Sequence, residues 1–97
     1  MKFVVLITYT GDALKDFADL GDQVERGRQL VAQMGGTFES YHLTAGRYDA
    51  VAIVDMPDAA SLAKLMLRYG APGRLRTETM LAFDEVEAGA IAASLTE

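Results

Sequence analysis

The run Phe3-Val4-Val5-Leu6-Ile7 leaves this chain few choices, because it is apolar on both of the faces that an extended strand presents. Phe3, Val5 and Ile7 fall on one side, Val4 and Leu6 on the other. β-branched and aromatic residues carry the run to Tyr9, and Thr10-Gly11-Asp12 ends it, so a strand is expected over Phe3–Tyr9. Such a strand belongs at the centre of a sheet, covered on both faces. The chain has 97 residues, which makes one domain, since a second core would need roughly 50 residues more to offset its own ordering entropy.

From Asp12 to Met34 apolar or small residues recur at Ala13, Phe17, Leu20, Val24, Gly27, Val31 and Met34, the three-and-four spacing of one helical seam. Gly21-Asp22 interrupts it. The expectation is an irregular or single-turn piece followed by a helix from Asp22, as N-cap, to Met34, where Gly35-Gly36 supplies a left-handed end. Thr37–Thr44 and Tyr48–Met56 alternate as antiparallel neighbours joined by a short loop through Ala45-Gly46. Asp58 caps a second helix carrying Leu62, Leu65, Met66 and Tyr69 on one face, until Gly70-Ala71-Pro72-Gly73 stops it. Arg74–Phe83 reads as the fourth strand, and the Ala-rich tail as a short terminal helix.

The order βαββαβ, with right-handed crossovers, folds into a four-stranded antiparallel sheet under two helices, a ferredoxin-like α+β arrangement with the first and third strands central. Residues 1–83 form that domain and residues 84–97 the tail. Two helices cover only one face of the sheet. The second apolar face of the first strand therefore needs another cover, and the economical one is the same face of a second copy, so a homodimer or higher homo-oligomer is expected.

Composition narrows the function. With 9 Lys+Arg against 14 Asp+Glu the net charge is −5, which disfavours a nucleic-acid partner. No apolar run approaches the roughly 20 residues that cross a bilayer, so no membrane partner is expected and the protein reads as cytoplasmic. There is no cysteine, which removes disulfides, thiolate nucleophiles and cysteine zinc sites together. Glycine-rich phosphate loops, the GxSxG elbow, HExxH and the EF-hand pattern are all absent. No cofactor and no dedicated metal site are expected.

The run Gly46-Arg47-Tyr48-Asp49, continued by Val51, Ile53 and Pro57-Asp58 and then by Arg76-Thr77-Glu78-Thr79 with Ala82-Phe83, resembles the GYD domain family, small bacterial and archaeal proteins named after that turn. The segment from Thr10 to Val24 departs from the family's entry into its first helix. The resemblance implies a ferredoxin-like fold that assembles in the manner of dimeric α/β barrels. It implies no reaction, because the family is largely without an established activity.

His42 and Asp49 are the candidate catalytic residues. A two-residue Ala45-Gly46 loop sets them directly opposite each other, and a carboxylate beside an imidazole is the pairing a general base uses. The same pair also serves as a lock on the hairpin end, with Asp49 accepting backbone N–H bonds in the turn. In that register Glu39, Tyr41, Tyr48, Ala50 and Ala52 lie on the face away from His42. Phe38, Val51 and Ile53 are expected under the helices, so Glu39, Tyr41 and Tyr48 look toward a partner subunit or a cavity with room for a small apolar ligand. Arg74 and Arg76 precede Glu78 on one face of the last strand. They either clamp a small carboxylate or phosphate or act as solvated edge charges. Thr8, Tyr9, Thr77 and Thr79 supply hydroxyls to a central cleft.

Three functions remain in view: an oligomeric small-molecule-binding or structural module; a small cofactor-independent enzyme like the monooxygenases and lyases of the dimeric α/β-barrel type, by analogy of fold; and a haem or metal binder through His42.

Overall fold

The computed structural model describes residues 1–10, 17–70, 73 and 75–96. The elements are β1 (Lys2–Tyr9), a 3-10 turn (Phe17–Asp19), α1 (Leu20–Gln33), β2 (Thr37–Leu43), β3 (Ala50–Asp55), α2 (Ala59–Gly70), β4 (Leu75–Ala82) and α3 (Glu85–Ser94). The four strands form one antiparallel sheet in the order β2-β3-β1-β4. The doubly apolar strand β1 lies inside it, against β3 on one side and β4 on the other, as its sequence requires.

One face of the sheet carries the core. Phe3, Val5, Ile7 and Tyr9 of β1 are buried there with Ala50, Ala52 and Val54 of β3, and Val31 of α1 and Leu65 of α2 close over them. Val4, Leu6 and Thr8, which alternate with these, are only half buried on the other face. No described element covers that face.

α1 starts three residues earlier than its sequence suggests. Asp19 stands at its N-cap, Gly21 lies within the helix, and Asp22 falls in the first turn, where a carboxylate favours the helix dipole without capping it. The single turn expected ahead of the helix is the 3-10 turn; Ala13, the first residue of the expected seam, lies outside the described residues. At the other end Gly35 takes φ +80, its N–H bonds to the Ala32 carbonyl, and the Gly36 N–H bonds to that of Val31, 3.0 Å in each case. These are the two bonds of a Schellman end. Gly36 is further constrained by packing, because a Cβ there would stand 2.7 Å from both the Asp55 carbonyl and the Met56 sulfur.

α2 follows its expectation: the Ser61 N–H donates to the Asp58 carboxylate at 2.7 Å, and backbone hydrogen bonding holds that carboxyl below its ordinary range. β2 contains an irregularity that the sequence conceals. Phe38 pairs with Val54 while Ser40 pairs with Ile53, so Glu39 is an extra residue in the strand.

The hairpin register differs from expectation. β2 ends at Leu43 and β3 begins at Ala50, with residues 44–49 between them, and His42 stands opposite Val51 rather than Asp49. The loop is held open by Asp49, whose N–H donates to the Ile7 carbonyl and whose carboxylate accepts from the Tyr9 N–H, both at 2.9 Å. The faces are also exchanged. Tyr41, Ala50 and Ala52 turn toward the helices, whereas His42, Val51 and Ile53 lie on the open face. The small alanines are buried because the bulky tyrosines fill the space beside them. The bulge leaves Phe38 inside and Glu39 outside, as the sequence reading has them, by shifting the alternation between the two ends of β2.

Candidate functional site

Two neighbourhoods bring the sequence's candidate residues together, one on each face of the sheet. The inner one is a cavity of about 40 Å³ between the sheet and the two helices, room for about three waters at ~10–15 Å³ each. Its walls include Val5, Ile7, Ala52, Leu65 and Leu75, and its polar atoms come from Tyr9, Tyr41, Tyr69, Gln23 and Thr77. The Tyr9 and Tyr41 hydroxyls are 2.7 Å apart. Burial, and then the neighbouring Tyr41 hydroxyl, push the Tyr9 phenol far above its ordinary range. Burial raises Tyr69 as well. These phenols stay neutral across the physiological range and serve as hydrogen-bond donors and acceptors rather than as bases. Tyr69 lies across Gly27 of α1, where any side chain would collide with its hydroxyl. The Thr77 and Thr79 hydroxyls each donate to the Met66 sulfur at 3.3 Å.

The outer neighbourhood is a polar recess of about 280 Å³ at the loop end of the open face, bordered by Thr8, Arg47, Tyr48, Arg76, Thr77 and Glu78. Tyr48 reaches from the loop across β1, and its hydroxyl donates to Glu78 at 2.7 Å. That bond to a carboxylate raises the Tyr48 phenol. The Arg47 guanidinium lies 5.6 Å from the Tyr48 ring centre, a cation–π distance. Arg76 and Thr8 are register partners on β4 and β1. At the opposite end of the same face Lys2 pairs with Glu39 at 3.3 Å, and that contact raises the lysine. Between the two ends lie the half-buried Val4, Leu6, Val51 and Ile53, with Met80 half exposed.

The structure thus gathers Tyr48, Arg76 and Thr77 at the outer recess and Tyr41 and Thr77 around the inner cavity, leaves Thr79 beyond the cavity wall, bonded to the Met66 sulfur that lines it, and sets Glu39 at the far end of the open face. It separates the two candidate catalytic residues: Asp49 is bonded to β1, and His42 is exposed on β2. Arg74 lies outside the described residues. Sequence reading missed Tyr69 as a cavity residue, although its place on the apolar face of α2 and a glycine on the facing helix signal a ring packed between them. It also passed over Arg47 beside Arg76, which only the path of the loop brings together. Among the described residues no group of three or more His, Cys, Asp or Glu side chains is placed to hold a metal ion. Nor is any described helix long and apolar enough to cross a membrane.

A four-stranded antiparallel sheet in this order, with two helices packed on one face, defines a ferredoxin-like α+β module. The GYD domain model matches residues 3–92, and the chain belongs to that family. It is also similar to a Thermus thermophilus protein named "Glutamine synthetase and cystathionine beta-lyase binding protein", with 30% identity over 79 residues that span 80% of this chain and 83% of the relative.

Proposed function

We propose that this protein is a self-associating binding module in which two copies join through the open face of the sheet. The observation that carries the reading is the second apolar surface of the central strand: Val4 and Leu6, flanked by Val51 and Ile53 of β3 and Met80 of β4, with no described element over them. Burying a large aliphatic side chain that was exposed contributes roughly 1.5–3 kcal/mol. A patch of five, each partly shielded already, is enough to drive association. Light scattering on the eluting protein at micromolar concentration should return twice the 10.5 kDa chain mass. A monomer at that concentration overturns the reading.

The similarity to a relative named for binding two enzymes favours a second layer, in which the assembled module docks on enzymes of amino-acid metabolism. Biolayer interferometry against the glutamine synthetase and cystathionine β-lyase of the same source tests it. Saturable, concentration-dependent binding is expected, and its absence for both removes this layer while leaving the dimer standing. The inner cavity suits a ligand of very few heavy atoms with one hydrogen-bonding atom for the tyrosines. Native mass spectrometry of the purified protein would detect such a ligand as a resolved adduct, and a Tyr41→Phe variant should carry less of it.

A further inference from the structure

α3 is a formed helix that none of the described elements buries. Its N-terminus carries a complete capping box: the Glu87 N–H donates to the Asp84 carboxylate at 2.8 Å, and the Asp84 N–H to the Glu87 carboxylate at 3.1 Å. No residue of the helix is buried, and Val86 and Leu95 are each 81% exposed. Its sequence, Glu85-Val86-Glu87-Ala88-Gly89-Ala90-Ile91-Ala92-Ala93-Ser94, has apolar residues on every side after the first turn. A helix apolar all round is one that becomes buried, and an isolated helix shorter than about 12–15 residues is marginal in water.

Charge on the open face indicates what covers it. The end from which α3 departs is acidic on balance: Asp84 and Asp55 lie near Lys2, Glu85 and Glu87 follow in the first turn of α3, and the cations there are already engaged, Lys2 with Glu39 and the N-terminal ammonium with Asp55. The other end presents Arg47 and Arg76 in the recess that Glu78 also borders; the Glu78 carboxylate is taken by the Tyr48 hydroxyl, and neither arginine has a carboxylate within ion-pair distance among the described residues. Arg76 and Ala82 are six residues apart on β4, about 20 Å at ~3.4 Å per residue. A two-fold axis lying in the open face at right angles to the strands sets β4 antiparallel over β4 of a second copy, with the acidic end of each over the arginine end of the other. An isologous contact makes that match twice.

We infer that α3 docks in trans, its acidic first turn against Arg47 and Arg76 of a second copy and its apolar flank on the rim of the joined sheets. The inference rests on the dimer reading above and specifies the ligand of the arginine recess: a carboxylate of the neighbouring chain. Arg76 and Glu85 are both exposed and outside the core, so reversing either charge leaves the fold intact.

Sedimentation equilibrium on the full-length parent, Arg76→Glu, Glu85→Arg and the double variant tests it, with circular dichroism as the folding check. Exposed ion pairs are individually weak, but each occurs twice in the dimer, with repulsion added on reversal. Each single variant should therefore weaken the dimer about tenfold, and the double variant should return to within about threefold of the parent. Raising the salt concentration should weaken the parent toward the single variants. Single variants that dimerise like the parent, or a double variant as weak as either single, overturn the placing of α3. A parent that is monomeric throughout overturns the dimer itself, a separate result.

Discussion

Asp49 ties the loop to the central strand, and this is the residue-scale contact on which the site depends. Its carboxylate accepts the N–H of Tyr9, and the Tyr9 side chain then meets Tyr41 under the helices. Replacing Asp49 with Ala leaves a half-buried N–H without its acceptor, so the variant should lose about 1–2 kcal/mol in urea unfolding. Tyr9→Phe should cost about 1 kcal/mol for the phenol pair. It should also change the alkaline limb of the stability curve. Because the folded phenol's pKa is raised, its contribution is complete below the ordinary pKa of 10.0 and declines as pH rises above it; Tyr9→Phe therefore removes part of that decline. Sequence alone placed His42 against Asp49 because it assumed the shortest loop. The longer loop follows from two tethers with no sequence signature, the bond from Asp49 to β1 and that from Tyr48 to Glu78.

At the scale of elements, the strand and helix order was legible because each element carries its own periodicity and stop signal, as in Asp58 before α2 and Gly35-Gly36 after α1. The sides of the hairpin were not. β-branched side chains belong in the core by composition, yet Val51 and Ile53 lie outside and Ala50 and Ala52 inside, because three tyrosines occupy the inner volume. The Glu39 bulge added a further reversal within β2 that no composition marks. The terminal helix offers a direct check on its cap. Asp84→Ala should destabilise α3 by removing its cap, seen as lost helical ellipticity in the full chain. The Asp84 carboxyl is held below its ordinary 3.8, chiefly by the Glu87 N–H. The cap's contribution is thus complete above pH ~4 and disappears as pH falls through the lowered value, a loss that the Ala variant should lack.

At the scale of the whole molecule, the sheet is a partition between two different surfaces. Its inner face is closed by α1 and α2 around the tyrosine cavity. Its outer face carries an apolar centre between an acidic end and an arginine end. The first strand announces this division in its sequence, since it is apolar on both sides and the two crossover helices cover only one of them. In the proposed dimer the copies meet on the outer face, and Leu6 stands near its middle, paired with Val51 on one side and Glu78 on the other. The most direct test is the mass of Leu6→Glu by light scattering, read beside its thermal unfolding. Leu6→Glu should be a cooperatively folded monomer where the parent is a dimer. A Leu6→Glu protein that remains a dimer of parental affinity would contradict it.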